Sequence, residues 1–218
     1  MGSAKGYYLR ANVWMPPTSG HSDAIRKKVF VEEIYHDHTF DLLTLSLHGP
    51  GYETELLQYD NNNIAGIVGE EVSVERQDRV RFHEGRILFM RANTDIHAQF
   101  PPSDISISLN IIPIDAKSLT RQQYRFDLLS NNRARITQVN YASMIYSQMA
   151  LIDIAETIGD ENTGEVLYDI ARCHKSVGAR SSALKVLHKK YSYRADELLN
   201  LSADDILLTK CIEQYMSE

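Results

Sequence analysis

The stretch ISISLNI, residues 105–111, alternates apolar and polar side chains without exception. An alternation of period two predicts a β-strand, because successive side chains of a strand point to opposite faces. Short apolar runs bounded by glycine, proline, asparagine or aspartate recur on both sides of this stretch, up to about residue 140. About ten short strands at close spacing predict an antiparallel sandwich or barrel. The predicted strands cover residues 29–36, 40–48, 52–59, 72–75, 79–83, 86–91, 95–100, 105–111, 124–128 and 134–139.

The spacing of apolar residues becomes helical after Asn140. Helix start and stop residues then divide the rest of the chain into short helices. The first is expected to end at Gly159, the second to be capped by Asn162 or Thr163, the third to open at Ser181 or Ser182, a fourth to cover residues 195–201, and a last one to follow a capping box of Ser202 and Asp205. The sequence therefore predicts an α+β protein with a β-barrel domain over residues 1–140 and a helical region over residues 141–218, packed on the barrel or on a partner chain.

The composition is that of a globular protein: 43% of the 218 residues are hydrophobic and 24% are charged. The net charge of −6 excludes a broadly basic surface for nucleic acid. A local basic cluster between residues 180 and 194 is interpreted as a solvated helix face. The two sparse cysteines fit a reducing compartment, and no signal peptide or membrane-spanning run is visible. We therefore predict a cytoplasmic protein with no membrane or nucleic-acid partner.

Histidine is unevenly distributed, with six of the eight residues in the first hundred positions. Two of them form the triplet His36-Asp37-His38. On a strand, His36 and His38 would point to the same side, about 7 Å apart. Neutral imidazole is the commonest metal ligand in proteins. The triplet therefore predicts two ligands that converge on one metal ion.

The spacing around this triplet resembles the two motifs of the cupin superfamily. The first motif is read in His36, His38 and Gly49, and the second in Gly85, the apolar strand after it, the polar turn 92–94 and His97. The resemblance covers roughly residues 29–113. It implies a jelly-roll β-barrel in which His36, His38 and His97 bind a metal. It also implies Fe(II) as the preferred ion, although imidazole suits other divalent metals as well.

The cupin motif also implies an acidic ligand, which would align near Leu42. The nearest acid is Asp41, and Glu53 and Glu55 on the next strand are alternatives. A site of three histidines without a carboxylate would instead resemble the thiol dioxygenases of the same superfamily.

Other polar residues are candidates for binding a substrate near this site. Gln99 has the strand parity of His97, and Ser106 and Ser108 form a polar face on the following strand, which faces either the interior or the solvent. Arg91 could hold a carboxylate, and Tyr52 could donate a hydrogen bond.

These features predict a mononuclear non-heme iron oxygenase that acts on a small polar molecule, such as an amino acid, with dioxygen. One alternative is a ligand-binding regulator with a cupin-like sensor domain and a helical segment that forms a homodimer. Another is a scaffold domain without a metal.

Overall fold

The computed structural model describes residues 2–4, 6–17, 31–115, 118, 121–140, 143–193, 197, 200, 208–209 and 212–213. The chain divides into two compact units. The first unit consists of Met1–Asn61 and Glu71–Asn140, and the second consists of Asn62–Glu70 and Tyr141–Glu218. The predicted boundary at residue 140 stays a prediction.

The first unit is built from antiparallel strands in two sheets. The strands are β1 (Gly2–Ala4), β2 (Tyr7–Trp14), β3 (Tyr35–His36), β4 (Leu42–His48), β5 (Glu53–Tyr59), β6 (Glu71–Arg81), β7 (Ile87–Met90), β8 (Asp95–Phe100), β9 (Ser106–Pro113), β10 (Gln123–Leu128) and β11 (Arg133–Asn140). One sheet has the order β1-β2-β9-β4-β7, and the other closes into a six-stranded barrel in the order β10-β11-β6-β5-β8-β3. A 3-10 helix covers Asn61–Asn63.

The eight strands from β2 through β9 pair in the pattern of a jelly roll. Strand β2 pairs with β9, β3 with β8, β4 with β7, and β5 with β6, all antiparallel. Four nested pairs of this kind arise when one long hairpin folds over so that its strands alternate between two sheets. Strands β10 and β11 then join β3 to β6 and close the barrel. The predicted fold class, a cupin-like antiparallel β-barrel followed by α-helices, is confirmed.

In the sheet that contains β9, several polar side chains lie on the buried face and several apolar side chains lie on the exposed face. Ser106, Ser108 and Asn110 are buried, whereas Ile87 and Phe89 on β7 are 63% and 55% exposed. Burying hydroxyl and amide groups costs free energy unless they are hydrogen-bonded, so apolar residues normally occupy the buried face. The polar face of the alternating stretch 105–111 is therefore the inner one, and the interior beside it is polar.

Most predicted strands are present with boundaries shifted by one or two residues, but some differences are larger. The weak candidates at residues 72–75 and 79–83 are one continuous strand, β6. Strand β2 was not predicted, because its inner positions Arg10 and Asn12 are polar and its outer position Val13 is 52% exposed. Of the predicted strand 29–36, residues 29–30 lie outside the described residues and only Tyr35–His36 form a strand.

The second unit contains three helices, α1 (Ser143–Ile158), α2 (Glu161–Cys173) and α3 (Val177–Tyr191). The predicted end of α1 beside Gly159 is confirmed, but the predicted caps of the next two helices are wrong. Asp160 caps α2 in a reciprocal capping box with Thr163, and Ser176 caps α3. A helix cap is decided by the first residue that leaves the helical conformation, and several neighbouring polar residues satisfy the same pattern.

The helices share an apolar core of their own. Its fully buried members include Leu167, Ala171, Ala183, Leu184 and Leu187. The predicted helix 195–201 and the capping box at 202–205 fall largely outside the described residues. None of the described helices is long and apolar enough to cross a membrane.

Candidate metal centre

Three imidazoles meet on neighbouring strands of the barrel. His36 on β3 is paired directly with His97 on β8, and the centroids of their rings are 4.5 Å apart. His38 lies just beyond the end of β3, and its ring is 5.1 Å from that of His36 and 5.0 Å from that of His97. One ring nitrogen from each histidine lies within 4.8 Å of the other two. The structure therefore brings together the three histidines that the sequence singled out.

The distances between these rings suit a shared metal ion. Nε2 of His38 is 2.9 Å from Nε2 of His97. Two imidazoles bound at right angles to one ion, with bonds of about 2.1 Å, have nitrogens about 3.0 Å apart. The carbonyl oxygen of Ile34 lies 2.8 Å from Nδ1 of His36. A proton on Nδ1 satisfies this contact and leaves Nε2 of His36 free as a ligand, which is the usual backbone support of a metal-binding histidine.

All three rings are held in the neutral form that binds metals. Burial lowers the pKa of His36 and lowers that of His97 strongly, and it lowers the pKa of His38 to about 3. Repulsion between the three rings acts in the same direction for His38 and His97. A metal ligand must not be an imidazolium, and at neutral pH these rings have no imidazolium proton to lose.

Asp37 anchors the segment that carries two of the histidines. Its buried carboxylate accepts hydrogen bonds from the backbone nitrogen of Tyr124 at 2.6 Å, from the hydroxyl of Tyr59 at 2.7 Å and from Nδ2 of Asn93 at 2.8 Å. Burial raises the pKa of Asp37 to about 6, and these hydrogen bonds oppose the shift. The backbone nitrogen of Asn93 also bonds to the carbonyl oxygen of His38 at 2.8 Å. The polar turn before β8 thus fixes the position of His38 relative to His97.

The structure corrects the interpretation of Glu53 and Glu55 as metal ligands. On neighbouring antiparallel strands, residues that lie opposite each other point to the same face. His97 lies opposite Leu56, so Glu55 points to the other face of β5. Glu55 accepts a hydrogen bond from the hydroxyl of Tyr35. Glu53 forms ion pairs at the surface with two arginines of β6.

Asp41 is also placed away from the three rings. Its side chain is exposed, and Oδ1 accepts a hydrogen bond of 2.8 Å from the backbone nitrogen of Ala92. The residue therefore fastens the turn before β8 rather than contributing to the histidine cluster. Among the described residues, the cluster consists of histidines alone.

The predicted substrate residues Arg91 and Gln99 have different placements. The guanidinium of Arg91 donates two hydrogen bonds to Asp95, at 2.8 and 3.2 Å, and half of the side chain is exposed. This ion pair uses only part of the guanidinium, so a substrate-binding role for Arg91 stays a prediction. Gln99 is two positions beyond His97 on β8, so it shares the face of the cluster as predicted.

Ser106 and Ser108 are on the inner face, but each hydroxyl has a structural partner. The Ser106 hydroxyl accepts a hydrogen bond from the backbone nitrogen of Gly51 at 3.0 Å. Ser108 accepts one from Nε1 of Trp14 at 2.9 Å. These contacts fasten the turn before β5 and the end of β2, so a substrate role for the two serines stays a prediction.

Tyr52 is buried in an aromatic group, with its ring 4.3 Å from that of Trp14 and 5.2 Å from that of Phe82. Burial raises the pKa of Tyr52. The neighbouring hydroxyl of Thr44 and the positive charge of Arg10 oppose this shift only in part. Its hydroxyl is therefore a hydrogen-bond donor at neutral pH.

Arg10 is the residue of this region that the sequence analysis missed. It points inward from β2 and lies opposite the buried Asn110 on β9, which in turn lies opposite the buried Thr44 on β4. The signal was present in the sequence, because Arg10 shares its strand parity with Trp14. That signal requires β2 to be recognised as a strand with a polar inner face.

Comparison with known proteins adds little to this geometry. No family model and no curated sequence matches the chain. A Sphingomonas hydroquinone 1,2-dioxygenase structure with 4-hydroxybenzoate bound is 14% identical over 53% of this chain and 64% of that chain, with a TM-score of 0.33. A Phytophthora capsici prolyl 4-hydroxylase is 10% identical over 100% of this chain and 63% of that chain, with a TM-score of 0.31. The chain spans less than two thirds of either protein, and similarity this low carries no argument about activity.

Proposed function

We propose that the chain is a metal-dependent oxygenase of the cupin type that acts on a small polar molecule, such as an amino acid, with dioxygen. The observation that carries this proposal is the convergence of His36, His38 and His97, whose ligand nitrogens lie within 4.8 Å of one another at a buried position on neighbouring strands of the jelly roll. Three neutral imidazoles on neighbouring elements, one with a backbone carbonyl on its second nitrogen, form a typical open metal site.

Fe(II) is the ion that we propose for this site. Imidazole also suits copper, nickel and zinc, so the ligands alone do not select the metal, and the preference for iron rests on the cupin resemblance. Three protein ligands leave coordination positions open, where a bound metal would activate substrate and dioxygen.

The protein's own residues would position the reactants. The three histidines would hold the ion, and Asp37 holds the backbone between two of them. The hydroxyl of Tyr52 stays protonated and can donate a hydrogen bond to a bound molecule. The inner face formed by β2, β4 and β9 is polar, which suits a polar substrate better than a hydrocarbon. The cytoplasmic location and the homodimer predicted from the sequence remain part of the proposal.

The test is substrate-dependent oxygen uptake. The purified chain is loaded anaerobically with Fe(II) and exposed to oxygen with pools of amino acids, and the same measurement is made on His97→Ala. We expect uptake that requires one of the pools and that is lost in the variant. Saturable binding of a small molecule without oxygen uptake would contradict the oxygenase and favour the ligand-binding regulator.

A further inference from the structure

Helix α1 carries apolar side chains on two opposite faces. One face is buried and includes Ile145 and Ile152. The other presents Leu151, Ile154 and Ile158, which are 66%, 51% and 77% exposed. Since successive residues of a helix turn by about 100°, Ile152 and Ile154 point in nearly opposite directions. A helix that is apolar all round is normally buried on every side, so the exposed face of α1 has the composition of an interface.

The residues of this exposed face are spaced as in a coiled coil. Leu151, Ile154 and Ile158 follow one another at intervals of three and four, and Ser147 precedes Leu151 by four. These intervals are those of the a and d positions of a heptad, at which the side chains of one helix enter the gaps between those of a facing helix. The four residues, called the α1 seam below, therefore match the surface of a second helix laid alongside.

The apolar surface of the α1 seam continues onto α2. Leu151 and Val166 line a common groove of about 270 Å³ between the two helices, and Val166 is 58% exposed. If a large side chain presents about 150–250 Å² in full, the exposed fractions of Leu151, Ile154, Ile158 and Val166 correspond to roughly 500 Å².

This area is large for a single chain. The largest apolar patch of a typical monomer covers roughly 300–600 Å² and is often functional. A stable interface buries about 800 Å² on each partner. The α1 seam and Val166 thus supply more than half of the surface that a stable dimer needs.

The positions that flank the α1 seam carry no charge. In the heptad they are the e and g positions, occupied by Gln148, Ala150, Ala155 and Thr157. Charges at these positions normally select the partner of a coiled coil, and like charges oppose self-association. An identical helix therefore meets the α1 seam without repulsion, whereas a partner of different chemistry finds no charge here to recognise.

We propose that the α1 seam binds the same surface of a second copy of this chain, so that the two α1 helices pack together across a two-fold axis. In such a contact one patch serves both copies and must be complementary to itself, as a heptad seam with neutral flanks is. The inference rests on the homodimer that is part of the proposed function and names its surface. It does not depend on the metal centre.

The experiment measures the mass of the full chain by sedimentation equilibrium at micromolar concentrations. The wild type is compared with Ile154→Glu, Ile154→Lys and Ile87→Glu. Ile87 is 63% exposed on β7, so Ile87→Glu controls for the replacement of an exposed isoleucine by a charge. We expect the wild type and Ile87→Glu at twice the chain mass of 24.8 kDa, and both Ile154 variants at the mass of one chain. Their Kd for self-association should rise at least about a hundredfold, because the dimer would bury two like charges.

A mixture of the two Ile154 variants tests whether the copies meet at this residue. We expect the Ile154→Glu and Ile154→Lys chains to form dimers when mixed, since opposite charges then face each other. Each variant should stay folded by circular dichroism, because Ile154 is exposed in the single chain.

Several outcomes would overturn the proposal. They are a monomeric wild type, a dimeric Ile154→Glu chain, and a mixture of the two Ile154 variants that stays monomeric. Loss of the dimer in Ile87→Glu alone would also overturn it and would assign the interface to the sheet that contains β7.

The metal content of each variant separates this inference from the proposed oxygenase. The α1 seam lies outside the histidine cluster, so the monomeric Ile154→Glu chain should bind as much metal as the wild type. A wild type that forms dimers through the seam but binds no metal would contradict the oxygenase and support the seam. A wild type that binds metal but stays monomeric would contradict the seam alone.

Discussion

Nε2 of His38 and Nε2 of His97 lie 2.9 Å apart although 59 residues separate them in the chain. Two features produce this contact. Strands β3 and β8 are neighbours in the barrel, and the turn before β8 is bonded to the backbone of His38 through Asn93. The geometry of the candidate metal centre therefore depends on the whole jelly-roll topology rather than on the histidine triplet alone.

The buried carboxylate of Asp37 should be essential for stability. In Asp37→Asn, the side-chain NH₂ must face either the backbone nitrogen of Tyr124 or the two donors from Tyr59 and Asn93, so donor meets donor. We expect the free energy of unfolding to fall by about 3 kcal/mol, measured by urea denaturation. The exposed Asp127 on β10 offers the control, and Asp127→Asn should change stability by less than about 0.5 kcal/mol. Equal stabilities of the two variants would show that Asp37 is not an anchor.

Two glycines with similar backbone angles should respond differently to alanine. Gly51 and Gly85 have φ of 77° and 79°, so both substitutions force an alanine into the left-handed region, at a cost of about 1–2 kcal/mol. A Cβ on Gly51 would also collide with the carbonyl oxygen of Phe82, whereas a Cβ on Gly85 meets nothing within 4 Å. Gly51→Ala should therefore be at least about 2 kcal/mol less stable than Gly85→Ala. Similar denaturation midpoints for the two variants would refute the close approach of the Gly51 backbone to that of Phe82.

The hydrogen bond from Trp14 to Ser108 should couple β2 to β9. Ser108→Ala leaves the indole N–H buried without an acceptor, and Trp14→Phe removes the donor. The double variant should therefore be more stable than the sum of the single changes predicts, by about 1 kcal/mol. A double-mutant cycle in urea measures this coupling. Additive effects would mean that the bond contributes nothing to stability.

The sequence was sufficient to predict the class of fold and the proximity of the three histidines in the folded chain. The strict alternation at residues 105–111, the turn residues and the spacing between His38 and His97 are local features of the chain. Which face of a strand is buried is not local. Ser106 and Ser108 lie on the buried face of β9, although buried faces of strands are usually apolar, so the local pattern could not decide between the two faces.

The inversion of polarity also explains why Arg10 was missed. A strand with arginine and asparagine inside and valine outside gives no recognisable signal in the hydrophobic pattern. The orientation of Glu55 was unpredictable for a related reason. Its face is set by the register of β5 against β8, and a one-residue shift in register reverses every side chain.

Metal stoichiometry tests the central claim most directly. The full chain, made without a polyhistidine tag or chelator, is analysed by elemental mass spectrometry beside His36→Ala, His97→Ala and His48→Ala. His48 is exposed at the end of β4 and serves as the matched control. The account predicts about one divalent metal ion per chain in the wild type and in His48→Ala, and loss of that metal in the other two variants while they remain folded by circular dichroism. Full metal occupancy in both His36→Ala and His97→Ala, or none in the wild type after exposure to Fe(II), would contradict it.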